Sequence, residues 1–81
     1  ILAVYPMPAN NELNILIESA EAENAQLAIY NFLGEKVLSE RVSLHAGKQE
    51  CKCKIKKLST GIYRVVVNSS KSLSTKNIII R

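Results

Sequence analysis

With 81 residues and 9.0 kDa, the chain is the size of one small domain, which buries only about 60% of the surface its unfolded form exposes. Its hydrophobic share of 47% falls in the globular range of about 45–50%, so a packed core is expected and disorder is not. All seven acidic residues are Glu, the single His is His45, and 11 Lys and Arg give a net charge of +4. An Asp-dependent triad is therefore excluded, and an anionic neighbour is favoured without being specified.

The longest aliphatic runs, Val65-Val66-Val67 and Ile78-Ile79-Ile80, fall far short of the ~18 apolar residues of a membrane helix, so no span is predicted. Ile1 reads as the edge of a cut-out piece with any targeting peptide upstream, and residues 1–81 read as a single domain.

Along the chain the pattern has period two. Pro6 and Pro8 hold an extended entry segment, and Asn10-Asn11 is a turn. Leu13, Ile15 and Ile17 then alternate with Asn14, Leu16 and Glu18, as in a half-buried strand. Residues 19–26 could form a short helix on propensity, but a loop is preferred because no buried stripe supports one. The next strand spans 26–32, where either face of the Leu27–Ile29 and Ala28–Tyr30 alternation could be inside. Asn31-Phe32-Leu33-Gly34 is a tight hairpin with Gly34 at a positive φ, and Val37 lies in the strand that follows. Gly47 marks a second turn.

The most regular strand follows. Cys51, Cys53 and Ile55 point one way, and Lys52, Lys54 and Lys56 the other. Cysteines two apart on a strand lie about 7 Å apart, too far for a ready disulfide, and a zinc site needs more ligands at better spacing. Two small core side chains are the preferred reading. Gly61 opens a strand from Ile62 to Val67, residues 68–71 are a polar tip, and the last strand runs over 73–80. Six or seven short antiparallel strands with turns every 8–12 residues predict an all-β, Ig-like β-sandwich.

Three ordered blocks and the terminus carry a family resemblance. Val4-Tyr5-Pro6-Met7-Pro8-Ala9-Asn10-Asn11-Glu12-Leu13-Asn14-Ile15 resembles the opening of the type IX secretion system C-terminal sorting domains of Bacteroidota, with Met7 where an Asn commonly separates the prolines. Ala28-Ile29-Tyr30-Asn31-Phe32-Leu33-Gly34-Glu35-Lys36-Val37 resembles that family's central hairpin, Leu58-Ser59-Thr60-Gly61-Ile62-Tyr63-Arg64-Val65 its penultimate strand, and Lys76-Asn77-Ile78-Ile79-Ile80-Arg81 its basic-flanked aliphatic end. The resemblance implies an address recognised by the type IX translocon, carrying an attached cargo from the periplasm to the cell surface. It also implies a surface sortase that removes the domain and commonly joins the cargo to anionic lipopolysaccharide, although some members keep theirs.

Most motif residues read first as structural: Tyr5, Pro6, Pro8 and Asn10 at the entry, Leu33 and Gly34 in the hairpin, and Gly61, Ile62 and Tyr63 at the later turn and strand. Tyr63 is expected in the core with its hydroxyl partnered at the rim. The lysine comb Lys52, Lys54, Lys56 reads as a solvated face that discourages aggregation, ahead of an anionic-partner surface. Residues 76–81 (Lys76, Asn77, Ile78, Ile79, Ile80 and Arg81) are the expected translocon contact, because the isoleucines put apolar groups on both faces.

An adhesion or ligand-binding module appended to a secreted enzyme is the competing reading. The absence of Trp and an aromatic share of 5% weigh against sugar stacking, and nucleic acid is disfavoured on the same ground. A thiol enzyme built on Cys51 or Cys53 with His45 ranks last, since core-facing thiols are inert. No residue pattern calls for a cofactor or a metal.

Overall fold

A computed structural model of the chain describes residues 1, 3–6 and 11–81. Seven strands form two antiparallel sheets: β1 (Ala3–Tyr5), β2 (Glu12–Ser19), β3 (Glu23–Asn31), β4 (Lys36–Leu44), β5 (Gly47–Lys54), β6 (Gly61–Ser69) and β7 (Leu73–Ile80). One sheet has the order β1-β2-β5 and the other β4-β3-β6-β7. The chain passes between sheets at the β2–β3, β4–β5 and β5–β6 connections, which is the Ig-like sandwich expected from the alternation. Pro8 and Asn10 lie outside the described residues.

The alternating apolar residues meet between the sheets. Leu13, Ile15 and Ile17 of β2, Cys53 of β5 and Ile55 just beyond it face Leu27 and Ile29 of β3, Val65 and Val67 of β6, and Ile78 and Ile80 of β7. This settles the face of β3: Ala25, Leu27 and Ile29 are inside, and Tyr30 is outside and half-buried. Residues 19–26 are neither helix nor an extended loop. Only 20–22 connect β2 to β3, because strand pairing of Glu23 to Leu44 and Asn24 to Ser43 recruits the polar residues that propensity leaves uncommitted.

Local hydrogen bonds fix the turns. In the β3–β4 hairpin, Asn31 N–H donates to the Glu35 carbonyl (2.9 Å) and Gly34 N–H to the Asn31 carbonyl (3.0 Å). The Asn31 side chain binds its own turn, with Oδ1 accepting from Leu33 N–H and Glu35 N–H, each at 3.0 Å. Gly34 has φ +87° with nothing near its missing Cβ, so backbone conformation alone demands glycine there.

At the β5–β6 corner, buried Tyr63 donates its hydroxyl to the Ser59 carbonyl at 2.7 Å. This matches the tyrosine corner of Ig-like sandwiches, where a ring at the start of a strand ties back to the preceding turn. The hydroxyl thus finds the rim partner expected of it.

Candidate recognition surface

The terminal strand divides its residues between two environments. Ile78 and Ile80 are 1% and 0% exposed, locked in the core, whereas Ile79 is 48% exposed on the outer face of the four-stranded sheet. Lys76, Asn77 and Arg81 are exposed as well. Apolar character on both faces of this segment therefore has two causes: two side chains close the sandwich, and the third faces outward.

Cross-strand register extends the outward face. Ile79 is paired with Ile62, Asn77 with Arg64, Thr75 with Val66 and Leu73 with Asn68; Arg64 is in turn paired with Tyr30 and Val66 with Ala28. Arg64 Nε donates to Asn77 Oδ1 at 3.4 Å. A bulge between Ile29 and Tyr30 sets Lys36 against Tyr30, and the Lys36 ammonium lies 5.9 Å from the centre of that ring, within cation–π range. At the end of this face the hairpin projects Phe32 and Leu33, 81% and 70% exposed. One concavity on the sheet is lined by Phe32, Ile62, Arg64, Val66 and Leu73.

The motif reads Ile62 as structural, yet its side chain is 61% exposed while Tyr63 fills the core. Phe32 and Arg64 were not singled out from sequence. The signal that marks the hairpin is compositional, since two large apolar residues occupy turn positions where polar ones are usual. Leu33 follows the same logic, and Gly34 is held by its backbone, whereas Gly61 is the first residue of β6 without a positive φ, and an added Cβ there would meet only the Tyr63 ring at 3.7 Å.

The lysine-rich face lies on the other sheet and is different in character. Lys52 and Lys54 of β5 point to solvent, but Lys56 lies in the following turn, because β5 ends at Lys54 and Ile55 N–H bonds to the Asn11 carbonyl. Opposite them, Glu12 is paired with Lys54, Glu18 with Lys48 and Asn14 with Lys52. Glu50 accepts a hydrogen bond from the Tyr5 hydroxyl, and that bond raises the Tyr5 pKa. Alternating signs across strands make this a mixed-charge face.

The thiols take core positions, as expected. Cys53 is 1% exposed, and burial, reinforced by Glu40, pushes its pKa up to about 12. Cys51 is half-buried, with its pKa raised by burial and then by Glu40. Both therefore hold their protons at neutral pH, which removes the nucleophilic form. Among the described residues no cluster of metal-ligating side chains occurs, and no helix is long and apolar enough to cross a membrane.

Residues 3–81 match the family described as the secretion system C-terminal sorting domain. Among solved structures, the crystal structure of dimeric latent PorU from Porphyromonas gingivalis superposes with a TM-score of 0.73 at 24% identity, over 96% of this chain and 9% of that one. The likeness is one of fold, and the chain spans 9% of the length of that protein. No curated protein matches the sequence.

Proposed function

Because the chain belongs to the secretion system C-terminal sorting domain family, we propose that the whole folded sandwich is the address that commits an attached cargo to the type IX export machinery. The observation that carries this reading is the extent of the match: residues 3–81 take in all seven strands rather than a terminal peptide. The destination is the cell surface or the space outside it. On this reading the domain folds in the periplasm, is engaged there by the translocon, and is later removed by a surface sortase. It is not itself catalytic, a role supported by thiols that are protonated and turned into the core.

Within residues 76–81 the roles divide. Ile78 and Ile80 hold β7 on the core, and Lys76, paired with core-facing Val65, lies exposed at the sheet edge on their side; Asn77, Ile79 and Arg81 present the readable side. The lysines Lys52, Lys54 and Lys56 serve solubility, and the pairing of Lys54 with Glu12 and of Lys48 with Glu18 on the same face argues against lipopolysaccharide docking there. The test is a periplasmic reporter carrying this chain at its C-terminus in a type IX-competent bacterium, with an I79S/R81S version beside it. The expected result is surface display of the first and reduced display of the second, with a melting temperature lowered by no more than about 8 °C. Equal display of the two would remove Ile79 and Arg81 from recognition.

A further inference from the structure

Exposed apolar side chains are unevenly distributed over this molecule. Among the described residues, Phe32, Leu33, Val37, Ile62, Leu73 and Ile79 all belong to the four-stranded sheet or its hairpin, and only Tyr5 belongs to the other sheet. Single exposed apolar residues need no explanation, but Phe32, Ile62 and Leu73 line one concavity, and such a cluster marks an interaction surface. The cluster is stiff before anything binds, because Asn31 fastens the turn that carries Phe32 and Leu33, so little entropy is lost on docking.

Charge narrows the occupant. The same face carries Lys36, Arg41 and Arg64, and no strand position on it holds a glutamate. Among the described residues the one ion pair, Lys71 with Glu21, joins loops elsewhere. Glu35, at the hairpin base, is engaged by Asn31 Nδ2 at 3.0 Å. The opposite sheet, by contrast, interleaves its lysines with glutamates.

We infer that the outer face of the four-stranded sheet docks an acidic, apolar protein segment of the export apparatus, an inference that rests on the sorting reading above. Apolar side chains of that segment cover Phe32, Ile62 and Ile79, and its carboxylates meet Arg64 and Lys36. Arg64 suits this role, since its planar fork can hold a carboxylate through two hydrogen bonds. The shape favours a protein segment over a lipid surface: Arg64 lies within the concavity between Ile62 and Val66, where a flat array of headgroups reaches it poorly.

The experiment compares surface display of the reporter fusion for the native chain, F32S/L33S, F32S alone, R64E, R64K and K52E/K54E, with each isolated chain checked by thermal melting. All substituted side chains are exposed, so native-like melting is expected. F32S/L33S and R64E should each lower display at least tenfold, R64K should retain most of it, and K52E/K54E should stay within twofold of native. If the native fusion reaches the surface and F32S/L33S and R64E do so equally well, the inference fails while the sorting reading stands. If the native fusion stays inside, the sorting reading fails and takes the inference with it. Vesicles containing anionic lipopolysaccharide provide the second arm, where native and variant chains should bind alike or not at all. Loss of vesicle binding in F32S/L33S and R64E together would make lipid the occupant and overturn the assignment.

Discussion

Adjacent isoleucines in the last strand should behave as different residues. Ile80 has no exposed surface, whereas Ile79 is 48% exposed. Truncating a buried Ile to Ala costs about 2–5 kcal/mol, from lost transfer energy and the cavity left behind. A domain of 81 residues has roughly 4–12 kcal/mol in total at about 0.05–0.15 kcal/mol per residue. Ile80→Ala should therefore remove about a sixth of the stability or more and lower the melting temperature by about 8–40 °C, at ~4–8 °C per kcal/mol. Ile79→Ala should cost about 1 kcal/mol or less, because half of its surface never left water.

The assay is urea unfolding of the purified chain, in which a slope near ~1 kcal/mol/M converts these costs to midpoint shifts of about 2 M or more against about 1 M or less. Equal shifts for the two variants would refute the assignment of alternate faces. The comparison bears on function too. Deleting residues 76–81 removes Ile78 and Ile80 together, about 4–10 kcal/mol by the same measure, so loss of export after that deletion reports unfolding as much as recognition. Point substitutions at the outward positions avoid this.

Other expectations follow from single contacts. Tyr63→Phe deletes the hydroxyl bond to the Ser59 carbonyl and should cost about 0.5–1.5 kcal/mol by chemical denaturation, with the ring still packed. Gly34→Ala meets no atom but must adopt φ +87°, so a loss of about 1–2 kcal/mol is expected, and Gly34→Asn should lose less. The Cys53 thiol should resist a thiol reagent at pH 8 until the chain unfolds. Its folded pKa of about 12 lies above the ordinary 9.0. Between these values the unfolded chain releases a proton that the native one keeps, so stability falls as pH rises through that window. Cys53→Val should flatten the fall, measured as urea midpoints at pH 7 and pH 10.5.

Strand alternation made most of the sandwich legible, because Leu13, Ile15, Ile17, Val65 and Val67 face one way at period two. It could not place Tyr30, since both faces of β3 are apolar and only the pairing with β6 decides. It carried β5 too far, to Lys56, because alternation continues past the point where Ile55 turns to bond Asn11. The terminal isoleucines were legible as unusual, but their division between core and surface needed the register with Gly61 and Ile62. The hairpin tip was legible as a turn, and its exposure of Phe32 and Leu33 was not, because glycine position fixes the turn without saying what its apolar residues meet.

The central claim is that this folded chain is a sufficient export address. Its most direct measurement is protease accessibility, on intact cells, of a reporter fused ahead of these 81 residues, in strains with and without the type IX translocon. The account predicts a reporter that is cleaved at the surface only when the translocon is present. A reporter protected in both strains, with the attached domain folded, would contradict it.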